Sequence, residues 1–220
     1  MVRRILHGLT RRVSSQPSAD ARHDDRQRRR ALTKPRMWNK VGSPTLLAEK
    51  YNKKLVLQKF RNPHTGEEEE YSLFGQKDCS VILPVTDSNE VIAVEQYKQG
   101  CNRIILELPA GTTERDDETV AATAKRELLE ETGFRVTSMI DLGPPQFIAT
   151  RNSWTRVFMF LGLGCKRTDA PVQDTSEVIL MRRIPLDDWI RRCLKELVEP
   201  SAIVATFRSL HHLGYSIKRR

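Results

Sequence analysis

Three carboxylates stand close together at Glu127, Glu130 and Glu131, in the stretch ELPAGTTERDDETVAATAKRELLEETGF that runs from Glu107 to Phe134. On a helix, Glu127 and Glu131 are related as i and i+4 and share a face, with Glu130 beside them. Like charges so placed cost an isolated helix about a few tenths of a kcal/mol per pair. A hard divalent cation reverses that cost. Mg²⁺ takes carboxylate, carbonyl and water oxygens and bridges to phosphate oxygens. The chemistry such a cluster suits is metal-assisted hydrolysis at phosphorus. Arg126 precedes the cluster and can hold a carboxylate by a charge-assisted, bidentate bond. Glu118 lies eight residues before Arg126. Pro109-Ala110-Gly111 ends an apolar strand, and Gly111 permits close backbone approach. A carbonyl there could supply one more metal oxygen.

A Glu-rich solvent face is the ordinary reading of Arg-Glu-Leu-x-Glu-Glu by itself. The whole pattern weighs against it: a strand ending in Gly, a loop, a Glu, an Arg-Glu pair, a Glu-Glu pair, then Gly and an apolar residue. That pattern resembles the Nudix box, Gly-x5-Glu-x7-Arg-Glu-U-x-Glu-Glu-x-Gly-U, where U is apolar. Glu118, Arg126, Glu127, Leu128, Glu130, Glu131, Gly133 and Phe134 match it in mutual spacing. Gly111 and Glu118 are separated by six residues rather than five. The extra residue is expected in the turn Arg115-Asp116-Asp117, where it costs little. Glu95–Lys98 (EQYK) and Glu107–Gly111 (ELPAG) are similar to the ADP-ribose and nucleoside-diphosphate-sugar pyrophosphatase branch of that family. The resemblance extends over about residues 50–200.

The resemblance implies an α+β fold: a Nudix α/β/α sandwich with a mixed sheet and a catalytic loop-helix-loop. It implies metal binding by Glu127 and Glu131, with Glu130 assisting and Ala110 lending its carbonyl. The expected cofactor is Mg²⁺ or Mn²⁺, and the expected substrate a nucleoside diphosphate joined to another moiety. Arg126, Glu127 and Glu130 are the catalytic candidates within the box. In this branch a Glu on a later loop often acts as base. Glu177 and Asp174, in PVQDTSEVI, are the candidates, with Glu177 preferred and a solvated loop acid as the alternative for each. Lys98, Gly111 and Arg151 are candidate substrate contacts. Trp154 either stacks on a base or packs in the core. Members preferring ADP-ribose carry a proline some fifteen positions beyond the box; this chain has Ala149-Thr150 there, and its prolines come earlier, at Pro144 and Pro145. Relatives in this branch are often homodimers.

The elements around the cluster are read from periodicity. Lys54–Phe60, Tyr71–Phe74, Ser80–Thr86, Glu90–Lys98 and Ile104–Leu108 read as strands. Asn62–Glu70 reads as a turn, and Asp87-Ser88-Asn89 has turn chemistry. Glu118–Thr132 is rich in helix formers, and Gly133 falls at its C-cap. Further strands are expected at Val136–Leu142, Gln146–Ala149, Thr155–Leu161 and Glu177–Met181, then helices at Leu186–Leu197 and Pro200–Leu213. Pro200 suits a first helical turn. The order suggests mixed sheets flanked by helices.

The net charge of +9 is confined to one end. Residues 1–40 hold twelve basic residues against three acidic, and the remaining 180 are balanced. The first nineteen residues have no acid and place Ile5, Leu6, Leu9 and Val13 at near-helical spacing among paired arginines. Such a segment looks like a mitochondrial transit peptide, pointing to the matrix. A basic tail on a cytoplasmic protein, one that touches RNA, is the other reading. The chain therefore divides into a basic extension, 1–40, and a Nudix hydrolase domain, 41–220. No apolar run reaches the ~18–20 residues that span a bilayer. Cys79, Cys101, Cys165 and Cys193 form no CxxC pair and read as free thiols, most of them buried or half-buried. Two other functions fit the same residues: an RNA 5′-end pyrophosphohydrolase, and a non-catalytic subunit of an RNA-processing complex. A charge-neutral domain body disfavours unaided RNA binding, and a non-catalytic relative would be expected to have lost the box carboxylates.

Overall fold

The computed structural model describes residues 34–171 and 178–216. The order of elements is β1 (Asn39–Lys50), β2 (Lys53–Arg61), β3 (Glu68–Gly75), β4 (Cys79–Val85), β5 (Glu90–Lys98), β6 (Arg103–Glu107), β7 (Ala110–Thr112), α1 (Val120–Thr132), β8 (Phe134–Arg135), β9 (Ser138–Asp141), β10 (Gln146–Phe147), β11 (Arg156–Leu163), β12 (Lys166–Arg167), β13 (Ile179–Pro185), α2 (Leu186–Lys195) and α3 (Pro200–Ser209). The chain divides into two compact units.

The smaller unit holds residues 34–43 and Gln58–Glu70. Its turn closes through Asn62 N–H donating to the Glu67 carbonyl at 2.8 Å, with Gly66 in the left-handed region. The Gln58 amide is buried and donates to the Val41 carbonyl at 3.1 Å. The expected turn over Asn62–Glu70 is shorter than read, because Glu68–Glu70 already belong to β3 with their side chains exposed.

The larger unit holds Pro44–Leu57 and 71–216. Its sheet runs β10-β11-β4-β5-β13, with β6 on β5, β7 on β4 and β9 on β11. β11 and β4 are parallel and the other pairs antiparallel, so the sheet is mixed. Alternation along the central strands sorts the core into two layers. Val81, Leu83, Val91, Ala93, Met159 and Leu161 face α2 and α3, packing with Trp189, Cys193, Ala202 and Ala205. Ile82, Ile92 and Phe160 point the other way, toward Ala124 and Leu128 of α1. The result is the expected α/β/α sandwich. The indole N–H of Trp189 donates to Thr206 Oγ1 at 2.8 Å, joining α2 to α3. Pro200 opens α3 behind Glu199, whose carboxylate accepts from the Ser201 and Ala202 amides.

Several elements differ from the sequence reading. β1 is a twelve-residue strand that no pattern announced: its side chains are nearly all exposed, so it shows no alternation. β13 runs Ile179–Pro185 rather than Glu177–Met181, because its register is set by antiparallel pairing with residues 90–96 of β5. α2 and α3 end earlier than expected, at Lys195 and Ser209. All four cysteines are free: Cys165 and Cys193 are buried, Cys79 is half-buried and Cys101 exposed. Among the described residues no helix is long and apolar enough to cross a membrane. The basic segment up to residue 33 and residues 172–177, with Asp174 and Glu177, lie outside the described residues.

Candidate active site

The carboxylate cluster is carried by a strand-loop-helix unit. β6 ends at Glu107, and after Leu108-Pro109 the chain turns into β7, which pairs Gly111 with Ser80 and Ala110 with Val81 on β4. Asp116 and Asp117 form the exposed turn before α1, where the extra residue was expected. α1 begins two residues later than the spacing suggested, because Thr119 is its N-cap and accepts from the Ala122 amide at 3.1 Å. Ser80 Oγ donates to the Val120 carbonyl and fixes the first turn to β4. Gly133 ends the helix in the left-handed conformation, its N–H on the Leu129 carbonyl.

Arg126 organises the acids. Its Nε donates to Glu118 Oε1 at 3.0 Å, its Nη1 to Glu130 Oε2 at 2.9 Å, and its Nη2 to the Thr112 carbonyl at 3.1 Å. Glu127 Oε1 also lies 2.9 Å from Nη1. One guanidinium therefore spans the loop, the helix start and two box carboxylates. Burial works against its charge, yet the Glu118 hydrogen bond, the charge of Glu127 and the Glu130 hydrogen bond push it above its ordinary value. Burial also pushes Glu118 up, but the Arg126 hydrogen bond and the Glu114 amide together hold it below the usual carboxylate range.

Glu127 and Glu131 are in the opposite condition. Burial pushes the Glu127 carboxyl up to about 7 in spite of Arg126, and Glu130 adds repulsion. Glu131 is buried on α1 beside the core and accepts from the Ala110 amide at 3.3 Å. Its proton affinity rises well above normal, from burial first and then from Glu127 and Glu107. Gly111 lies directly against Glu127: a Cβ there would stand 1.8 Å from Oε1. Glu107, also buried, accepts from Gln96 Nε2 and from Lys98 Nζ, each at 2.6 Å. Burial raises it, and Lys98 pulls it back down.

These groups open on a cavity of about 430 Å³. Arg126, Glu127, Glu130, Glu131, Ala110, Gly111 and Lys98 all line it. Arg151 does not; it is exposed in the turn after β10.

A family model described as the NUDIX domain matches residues 76–203, more than half of the chain. The chain belongs to the NUDIX family. Two curated relatives match a shorter part of it. The ADP-ribose pyrophosphatase of Bacillus subtilis (strain 168) is 45% identical over 53 residues, 24% of this chain and 28% of that protein. The methanol dehydrogenase activator of Bacillus methanolicus is 38% identical over 58 residues, 26% of this chain and 31% of that protein. The chain thus spans less than a third of the length of these relatives. A crystal structure described as an ADP compounds hydrolase shares the fold, with a TM-score of 0.65 at 19% identity over 80% of this chain and 97% of that one.

NUDIX membership implies a divalent metal, and the donors here fit one. All are hard oxygens; Glu131 is buried and Glu127 half-buried, and burial raises the proton affinity of both. Glu127 fills the space a Cβ on residue 111 would occupy. As the side chains stand, Glu127 and Glu130 turn toward Arg126 and Glu131 toward the Ala110 amide. Among the described residues no three acids, imidazoles or thiols already converge as a closed metal centre.

The NUDIX site also includes residues that spacing could not flag. Gln76 reaches Thr112 Oγ1 at 3.0 Å across thirty-six positions of sequence. Gln96 and Glu107 are brought together by β5–β6 pairing. Lys53, at the start of β2, lines the same cavity, and no acid partners it among the described residues. Signals existed for Glu107, which opens Glu107–Gly111, and for Gln96, which lies inside Glu95–Lys98.

Proposed function

We propose that this chain is a Mg²⁺-dependent hydrolase that cleaves the diphosphate of a nucleoside diphosphate linked to a second moiety, of the ADP-ribose or nucleotide-sugar class. The observation that carries the reading is the set of box carboxylates, ordered by Arg126, around one wall of a cavity of about 430 Å³. The names of the B. subtilis relative and of the structural neighbour, an ADP-ribose pyrophosphatase and an ADP compounds hydrolase, support the substrate class.

Glu127 and Glu131 would hold the ion, with Glu130 adding charge and the Ala110 carbonyl a neutral oxygen. When bound, Mg²⁺ supplies neutralisation of the charge that develops on the diphosphate. Arg126 keeps Glu127 and Glu130 in place and fixes the loop through Thr112. Lys53 faces the cavity as a cation for phosphate oxygens, Lys98 lines it in its ion pair with Glu107, and Gly111 leaves room for the Glu127 carboxylate against the backbone. Water adds to one phosphorus, the bridging P–O bond breaks, and a nucleoside monophosphate leaves with the phosphorylated second moiety. Glu177 is proposed to take the proton of that water. The acid-free basic segment supports delivery to the mitochondrial matrix.

The test is a substrate panel with Mg²⁺: ADP-ribose, nucleotide sugars, dinucleotides and 5′-triphosphorylated RNA. Release of a nucleoside monophosphate from one of the first two classes is expected. Release from RNA alone would replace this reading with an RNA 5′-end pyrophosphohydrolase.

A further inference from the structure

A second groove adjoins the carboxylate cavity, and its floor is an indole. Trp154 lies flat on Gly75: a Cβ at position 75 would stand 2.5–2.7 Å from Cε2, Cδ2 and Nε1 of the ring. Only glycine lets the ring settle on the strand. The backbone on either side is clamped, with Phe74 N–H on the Asn152 carbonyl at 2.9 Å and Trp154 N–H on the Phe74 carbonyl at 3.3 Å. The residue is still 39% exposed, whereas Trp189, which packs the core, is 0% exposed. A held ring with an open part faces a groove of about 310 Å³.

The charges of that groove are already satisfied. Lys54 pairs with Glu49 at 3.3 Å, and Lys77 with Asp116 at 2.8 Å while also donating to the Glu114 carbonyl. An anion has little left to bind there; an uncharged planar group has an aromatic surface to stack on. The groove is also continuous with the site. Asn52 and Gln76 line both cavities. Gln76 donates its backbone N–H to Thr155 Oγ1, next to Trp154, and its side chain to Thr112 Oγ1; the Thr112 carbonyl accepts from Arg126. A short hydrogen-bonded path thus joins the indole to the residue that orders the carboxylates.

We propose that the Trp154 groove is the nucleobase subsite, where the base of a nucleoside diphosphate stacks while its phosphates lie in the adjoining cavity. The inference rests on reading that cavity as a diphosphate site. Base-on-aromatic stacking tolerates any base, so Trp154 contributes affinity for the nucleoside end rather than a choice of base.

The test is equilibrium binding to the full chain with Mg²⁺, using α,β-methylene-ADP and its base-free counterpart methylenediphosphonate. Trp154→Ala is expected to weaken the nucleotide by about tenfold and leave methylenediphosphonate unchanged, with Trp154→Phe retaining most of the affinity. The nucleotide should also quench a tryptophan emission in the unaltered chain that is missing from Trp154→Phe, a readout that stands even if the Ala variant does not fold. Equal effects on both ligands, no effect on either, or a quench that survives in Trp154→Phe would overturn the subsite. Failure of the unaltered chain to bind either ligand would instead overturn the diphosphate reading beneath it.

Discussion

The Glu127 carboxylate occupies the place where a side chain on Gly111 would begin, with Oε1 1.8 Å from the position of a Cβ. The clash in a Gly111→Ala variant is with the far end of a flexible side chain, so the fold has an easy way out: Glu127 swings aside. We expect stability to change by about 1 kcal/mol or less, while metal affinity falls by about 10–100-fold. Thermal unfolding and a Mn²⁺ titration of the same preparation separate the two quantities. A large loss of stability with normal metal affinity would show that the contact is structural.

Arg126 is a fork rather than a point charge. A lysine in its place cannot serve Glu118, Glu130 and the Thr112 carbonyl at once, so Arg126→Lys should keep the fold and lose roughly 10–100-fold in turnover. Arg126→Ala leaves the Glu118 carboxylate, whose side chain is only 6% exposed, with its cation gone, and should cost about 3 kcal/mol. Urea unfolding measures the second and initial rates the first. Equal behaviour of Lys and Arg at this position would contradict the account.

Thr119 caps α1 through the Ala122 amide. Thr119→Ala should destabilise by about 1 kcal/mol, and Thr119→Ser by much less. The carboxylates are carried further along the helix, so metal affinity should follow stability only weakly. Urea unfolding and metal titration check both statements.

Tyr215 donates its hydroxyl to Asp187, and that hydrogen bond, with burial and the neighbouring charge, raises the phenol from its ordinary 10 to about 12. The folded value lies above the unfolded one. The stabilisation is therefore fully present below pH 10 and is lost as pH rises through 12. Tyrosinate absorbance should show one of the four tyrosines titrating late, and Asp187→Ala should return it toward the others. Titration of all four together would refute the pairing.

Much of the site was legible because its chemistry is local. Arg126, Glu127, Glu130 and Glu131 sit on one helix, where i+3 and i+4 spacing fixes their relation before any tertiary contact forms. Gly133 announced the end of that helix by its left-handed cap. The central strands β4, β5 and β11 were legible as short apolar runs, buried on both faces. β1 was not, since a strand with both faces exposed carries no pattern. Gln76 and Lys53 were invisible for another reason: what brings them to the cavity is strand pairing and turns between distant segments. Arg151 and Lys98 looked alike in sequence, yet only Lys98 faces the cavity, because it lies on β5 and Arg151 on an exposed turn.

We propose that Glu127 and Glu131 hold the divalent ion with which the chain hydrolyses a diphosphate. The most direct measurement is the Mg²⁺ dependence of nucleoside monophosphate release by the native chain and by Glu127→Gln and Glu131→Gln. Burial already favours the neutral form of Glu131, so its amide counterpart should fold normally. On this proposal, release requires Mg²⁺ in the native chain and falls by at least about a hundredfold in either folded variant, as expected when a charge-stabilising group is lost. Release that ignores Mg²⁺, or that persists at the native rate in both variants, would contradict it.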